Sequence, residues 1–248
     1  MYYRSRAIVL KSINYRDTDK LVSLFTEEKG KVRSIARGVQ KPKSSLRACT
    51  QPFCHSMLHL SSGRELDIIT QGKLIDFYGN SREDVVLSLH SLYIMELIDK
   101  ALLDKMPMPE LYSCALSVLE YLDKKGFNPL VLRYFELQLL AGLGYGPLLD
   151  ACCGCGRKDV KKPVFNLAQG GIFCESCLDV SLHNVYLNGE SLAVLRLLAC
   201  GGLAALNRLK VSPAALKQIE HILELDLEYH LERKFNMKKT IQLINKSQ

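Results

Sequence analysis

No uncharged apolar run approaches the roughly 18 residues that a membrane-spanning helix requires. The longest candidates, residues 137–149 and 197–206, are short and contain glycine. The opening residues, MYYRSR, lack the apolar stretch of a signal peptide. No internal repeat and no low-complexity linker is present. Also missing are three loops that carry common catalytic chemistry: the G-x4-G-K-[ST] phosphate loop, the H-E-x-x-H metal pair and the G-x-S-x-G nucleophile turn. These absences predict a cytoplasmic protein with no membrane partner and no enzymatic turnover. What is present can fold: 248 residues, 48% hydrophobic and 24% charged, supply a core and allow one large domain or two to three small ones.

The nine cysteines are odd in number and unevenly spread, which excludes the paired disulfide framework of a short secreted chain. Five lie between residues 152 and 177. Cys49, Cys54, Cys114 and Cys200 stand singly in apolar neighbourhoods and read as small core residues.

The net charge of +7 is carried wholly by the N-terminal third, because residues 1–80 hold 14 Lys and Arg against 7 Asp and Glu while the rest balances. Lys29, Lys31, Arg33, Arg37, Lys41, Lys43 and Arg47 are seven cations in nineteen residues with no intervening carboxylate. A solvated face is the plain alternative. Two features favour a polyanion instead: the like charges repel one another unless something neutralises them, and the alternation of KVRSIARG (31–38) predicts a strand feeding a flexible loop. Cations so placed can track a phosphate backbone and release its counterions.

Residues 1–80 read as β structure, in five segments: 6–13, 20–26, 31–36, 53–60, and 66–70 continued by 73–77. The second and third are joined by a tight turn at 28–31. Five short strands predict a small closed barrel, of OB or SH3-like type, which periodicity does not separate. From Ser81 the period changes. Ser81 can cap a helix running to about Lys105, with Val85, Leu89, Leu92, Tyr93, Glu96 and Leu97 on one stripe and Pro107 and Pro109 stopping it. Further helices are predicted at 110–124, 129–143, 189–199 and 213–234, packing as a bundle. The domains expected are 1–80 and 81–248, with a cysteine-rich insert at about 148–185.

Cys152, Cys155, Cys174 and Cys177 form two C-x2-C knuckles separated by eighteen residues. That spacing predicts a tetrahedral thiolate site for zinc, each pair giving two sulfurs from one turn and Gly154 or Gly156 letting the backbone wrap the ion. Four thiolates close the shell, so the zinc is expected to be structural. Cys153 reads as a bystander, and Arg157, Lys158, Lys161 and Lys162 as offsetting the site's negative charge. A redox dithiol would need one C-x2-C beside a βαβ unit. Gly142, Gly144 and Gly146 follow a helix and read as its stop, not as a dinucleotide loop. His55 and His59 could share a strand face but read as satisfied barrel residues, and Asp17 and Asp19 as a solvated turn. His90, His183, His221 and His230 are scattered.

Several runs together resemble the RecO family of bacterial recombination mediators: residues 6–10 (RAIVL), 17–31 (DTDKLVSLFTEEKGK), 36–39 (ARGV), 46–53, 93–97 (YIMEL), 132–140 (LRYFELQLL), 143–147 (LGYGP) and the cysteine knuckles. The resemblance spans almost the whole chain. It implies an α+β protein with an N-terminal OB-fold barrel, then a helical domain carrying a zinc insert, and no catalysis. It further implies binding of single- and double-stranded DNA, annealing of complementary strands, and work with RecR to load RecA onto DNA coated by single-strand-binding protein, at the bacterial nucleoid. On this sequence it makes Arg33, Arg37, Lys41, Lys43 and Arg47 the candidate barrel contacts. Arg133 becomes a candidate for the acidic C-terminal tail of single-strand-binding protein, the alternative being a surface arginine beside Glu136. Arg233, Lys234, Lys238 and Lys239 match the family's basic C-terminal stretch in character. Aromatic residues for base stacking are sparse in the barrel, which tilts the expectation toward phosphate contacts. The competing readings are a zinc-ribbon hydrolase of nucleic acid and an RNA-binding accessory factor.

Overall fold

The computed structural model describes residues 1–178, 184–237 and 240–241; His183, Lys238, Lys239 and part of the 148–185 insert lie outside these. The chain divides into two compact units, Met1–Phe127 together with the segment that begins at Phe235, and Asn128–Lys234.

In the first unit, β1 (Tyr2–Tyr15), β2 (Asp19–Thr26), β3 (Gly30–Ala36), β4 (His55–Ser61) and β5 (Asp67–Asp76) close into a barrel of ring order β1-β2-β3-β5-β4. Every pairing is antiparallel except β3 with β5. Along β3, Val32, Ser34 and Ala36 are buried while Lys31, Arg33 and Ile35 are not. Eleven buried residues form the barrel core, among them Val9, Val22, Leu24, Leu58, Leu60 and Ile69. A bulge between Val9 and Lys11 bends the fourteen-residue β1 so that it pairs with β4 on one side and β2 on the other. The short α1 (Leu46–Cys49) lies between β3 and β4 in sequence and adds Leu46 and Cys49 to the core. This strand order is OB-like, and pairing decides what periodicity leaves open. Gly30 ends the β2–β3 turn at φ +66°, and a Cβ there would fall 1.8 Å from the Met106 carbonyl oxygen, so the hairpin and the chain after α3 meet only over glycine.

Several boundaries differ from the sequence reading. β4 starts at His55, after Phe53 at φ +51°, whose ring holds the Arg82 guanidinium at 3.9 Å against Phe77 at 4.0 Å. His55 and His59 do not share a setting: His55 is buried beside the Tyr112 hydroxyl at 3.1 Å and His59 is exposed. The helix expected from Ser81 is two. α2 (Gly79–Glu83) is followed by an extended Asp84, which caps α3 (Val85–Ala101) by accepting from Leu87 N. α3 ends at Ala101, short of Lys105, because Lys105 N donates to the Lys31 carbonyl at 2.7 Å and draws the chain onto the barrel. Proline opens α4 (Pro109–Lys125) and Gly126 follows its end. Tyr112 of α4 meets Phe25 of β2 edge-on at 5.4 Å.

The second unit contains α5 (Pro129–Gly142), α6 (Gly189–Cys200), α7 (Leu203–Leu206) and α8 (Pro213–Leu231). α5 packs on both α6 and α8. Asn128, Asn188 and Ser212 cap α5, α6 and α8. Between α5 and α6 lies a three-stranded sheet, order β7-β6-β8, made of β6 (Val164–Asn166), β7 (Gly171–Phe173) and β8 (Asn184–Tyr186). Cys49 and Cys54 are buried and Cys114 partly so, but Cys200 is exposed at the end of α6, contrary to its apolar neighbourhood. No helix among the described residues is long and apolar enough to cross a membrane.

Candidate metal centre and nucleic-acid interface

The four knuckle cysteines converge. The sulfurs of Cys152, Cys155, Cys174 and Cys177 all lie within 4.8 Å of one another, and Cys155 Sγ is 3.9 Å from Cys174 Sγ. Sulfurs bonded at about 2.3 Å to a tetrahedral ion stand about 3.8 Å apart, so the donor set fits a metal. All nine cysteines are free thiols. Gly154 allows the approach, since a Cβ there would lie 2.7 Å from Cys177 Cβ. Gly156 takes φ +72° to turn the first knuckle. Burial works against ionising Cys152, but the N–H groups of Cys174, Cys155 and Gly154 converge on its sulfur and bring it down to about 6. Cys177 is pushed up to about 12 through its hydrogen bonds with the thiols of Cys174 and Cys155. One thiolate is therefore favoured beside its neighbours, and further ionisation needs a cation among them. Cys153 lies outside this set: its N–H donates to Ile172 O, and its sulfur fills the space where a Cβ on Gly171 would stand. Of the cations near the knuckles, Lys162 pairs with Glu175 at 3.0 Å.

The N-terminal cations separate into two groups. Lys29 lies over the Tyr3 ring at 3.3 Å. Lys31 donates to the Asp99 carbonyl at 2.8 Å and stands 3.5 Å from Asp104, so it serves the barrel–helix packing. Arg33, Arg37, Lys41, Lys43 and Arg47 are all exposed, and among the described residues none has a carboxylate within 4 Å. They run from β3 through the following loop into α1. The loop is fixed at its start: Gly38 N donates to Asp19 Oδ1 at 2.8 Å and Gln40 N to Thr18 O at 2.9 Å. Asp19 is thus more than a solvated turn residue. The Gly38 N–H, with Arg16 and Arg37 nearby, holds its carboxyl below the usual range. That clasp brings the β1–β2 turn and the β3–α1 loop, with Arg16, Arg37 and Lys41, to one end of the barrel.

Arg133 is not a surface arginine. It is 6% exposed on α5, with Nη2 3.1 Å from Glu136 Oε1 and Nη1 3.9 Å from Glu220 Oε1. Glu136 is itself fully buried. Sequence alone could not reveal the Glu220 contact, because that residue lies on α8, far along the chain.

A closed OB-like barrel is thus followed by a helical region that carries a four-cysteine cluster. Residues 1–78 match the family described as Recombination protein O N terminal, and residues 82–239 match Recombination protein O C terminal. Over 247 residues the chain is 52% identical to the DNA repair protein RecO of Syntrophomonas wolfei, covering 100% of this chain and 98% of the relative. It is 34% identical to that of Desulforamulus reducens over 99% and 96% of the two chains. With that of Bacillus pumilus the figures are 31%, 90% and 87%. The chain belongs to the RecO family, and is a recombination mediator of DNA repair, not an enzyme. That membership sets aside the hydrolase and RNA-factor alternatives.

Proposed function

We propose that this protein binds single- and double-stranded DNA by its phosphates along Arg33, Arg37, Lys41, Lys43 and Arg47. On this reading it anneals complementary strands and, with RecR, helps load RecA onto DNA coated by single-strand-binding protein in the bacterial cytoplasm. The observation that carries it is the partition just described: two of the seven clustered cations are spent on internal contacts, while the other five stay in water with no carboxylate within 4 Å among the described residues. Annealing needs an agent that cancels repulsion between two polyanions and leaves base edges free to pair. Phosphate-directed cations on a rigid barrel meet that need.

Zinc is the ion we assign to Cys152, Cys155, Cys174 and Cys177, since four thiolates suit it and leave no position for water. Bound there it would supply cohesion to the knuckles, without taking part in a reaction. The tail of single-strand-binding protein, being acidic, would have to displace Glu220 to reach Arg133, whose nearer partner is Glu136.

The test is titration of labelled single strands and duplexes with the Arg37→Glu, Lys41→Glu double variant. Affinity for both should fall at least about tenfold at moderate salt, and the salt slope should flatten by about one unit per lost contact. Unchanged affinity overturns the proposal. Annealing of DNA precoated with single-strand-binding protein should fall in parallel.

A further inference from the structure

The second unit holds a groove that phosphate binding does not use. β8 stands at the edge of its sheet, and Gln218 of α8 clamps the end of it: the side-chain amide donates to Tyr186 O at 3.0 Å and accepts from Asn188 N at 3.0 Å. Beside that clamp, β8 and α8 bound a groove of about 690 Å³, within the range that takes a small ligand or a few side chains. Leu167 is buried and Val185 and Leu225 are half-buried, which gives the groove apolar walls. Tyr186 and Tyr229 line it with 67% and 40% of their surface exposed. Glu228 is half-buried among them, and among the described residues no Lys, Arg or His nitrogen lies within 4 Å of its carboxylate.

The charge around the groove states the chemistry of an occupant. In a chain of net charge +7, α8 carries Lys217 against Glu220, Glu224, Asp226 and Glu228. Spacing by four puts Glu220, Glu224 and Glu228 on one stripe of the helix, along the border of the groove. Glu220 faces Arg133 and Asp226 is buried, while Lys217 lies about 16 Å of helix from Glu228. No Lys or Arg lines the groove among the described residues. A polyanion is repelled here. A carboxylate without a cation, beside two exposed phenol rings and apolar walls, is complementary to a flat cation on an apolar stem, which the ring faces and the carboxylate attract together. Arginine meets that description better than lysine, because its guanidinium is planar, stacks on aromatic rings and is more weakly hydrated.

We propose that this groove is a docking site for an arginine-bearing, apolar segment of a partner protein. The guanidinium lies against Tyr186 and Tyr229 and meets Glu228, and an adjoining apolar side chain rests on Leu167, Val185 and Leu225. The site shares no residue with the cations of the barrel, so a basic protein partner and DNA can be held at the same time.

The full-length protein, purified with its metal, would be titrated with a short fluorescent peptide of alternating leucine and arginine, and with the same peptide carrying neutral citrulline for arginine. The arginine peptide should bind at least about tenfold more tightly. Glu228→Gln should weaken it about fivefold and Tyr186→Ala about tenfold, with oligonucleotide affinity unchanged in both. Tyr186→Phe keeps the ring and should bind as the parent does. Tyr186→Trp offers a better cation-binding face and should tighten the peptide, a gain that misfolding cannot produce. Equal affinity for the two peptides overturns the proposal, as does arginine-peptide binding that is absent at millimolar concentration or unmoved by Glu228→Gln and Tyr186→Ala. Loss of self-association in sedimentation on Tyr186→Ala, with peptide affinity intact, would assign the groove to a second copy of the chain and overturn it too. Arg37→Glu, Lys41→Glu should leave the peptide affinity as in the parent, so this proposal and the phosphate reading stand or fall separately.

Discussion

The barrel and the knuckle sheet are both small β assemblies, but they cohere for different reasons. The barrel has five strands of seven to fourteen residues, a ring closed by pairing, and eleven buried core residues. The knuckle sheet has three strands of three residues each, with Val164, Phe165 and Ile172 buried in it and a small core cluster of Cys152, Phe173 and Cys174 beside it. Burial at about 25 cal/mol per Å² can hold the first. In the second, two of the three residues in that small cluster are themselves thiol donors, so coordination is added to burial. The lesson is that one chain relies on the hydrophobic effect alone where strands are long enough to close a ring, and adds coordination to it where they are not.

The strongest way to break this comparison is to remove the coordination. A structural four-thiolate zinc site contributes about 10–16 kcal/mol of apparent binding free energy near pH 7, which is folding free energy for a segment whose strands are this short. Chelation, or Cys174→Ser, should therefore open the segment between α5 and α6 to proteolysis and abolish stoichiometric metal in elemental analysis. The barrel should keep its β signature in circular dichroism. A knuckle that stays protease-resistant without metal would show that its packing suffices.

The converse cut is smaller. Leu24 is fully buried in the barrel core, and Leu24→Ala should cost about 2–5 kcal/mol as a cavity opens. Denaturant unfolding of the first unit should shift accordingly, while metal content and the proteolytic resistance of the knuckle stay as in the parent. Loss of metal in Leu24→Ala would mean that the two regions do not stand on separate footings.

The same contrast explains what could be read in advance. The four cysteines were legible because their spacing is local and the chemistry demands it. The five strands were legible because alternation over seven or more residues is hard to mistake. What escaped depends on distant partners. The break at Asp84 is one case: Ser81, read as the cap, donates its N–H to Asp123 of α4, and Asp84 caps α3 instead. The early end of α3 is set by a bond to Lys31, some seventy residues back. Lys31 itself looks like any other cation of the run until Asp99 and Asp104 arrive beside it. The contact of Arg133 with Glu220 exists only once α8 packs on α5. Three-residue strands are too short to show a period at all.

The smallest expected effect concerns acid. Metal binding at the knuckles requires deprotonated sulfurs, so the coordinated region should weaken as pH falls and protons compete for the thiolates. The barrel side has its own acid-sensitive group in His55, which burial, with Arg6 nearby, holds below its ordinary value near 6.5. A histidine whose folded value is depressed binds fewer protons folded than unfolded. Its contribution is therefore full above about pH 6.5 and fades as pH falls toward the folded value. His55→Asn cannot take up that proton, so it should flatten the pH dependence of barrel stability between neutral and mildly acid conditions, with metal release from the knuckles unchanged. The midpoint of denaturant unfolding, followed at pH 5, 6 and 7.5 for parent and variant, measures the first part, and a zinc-responsive dye the second. If His55→Asn altered the pH of metal release instead, acid sensitivity would not divide along the line between burial and coordination.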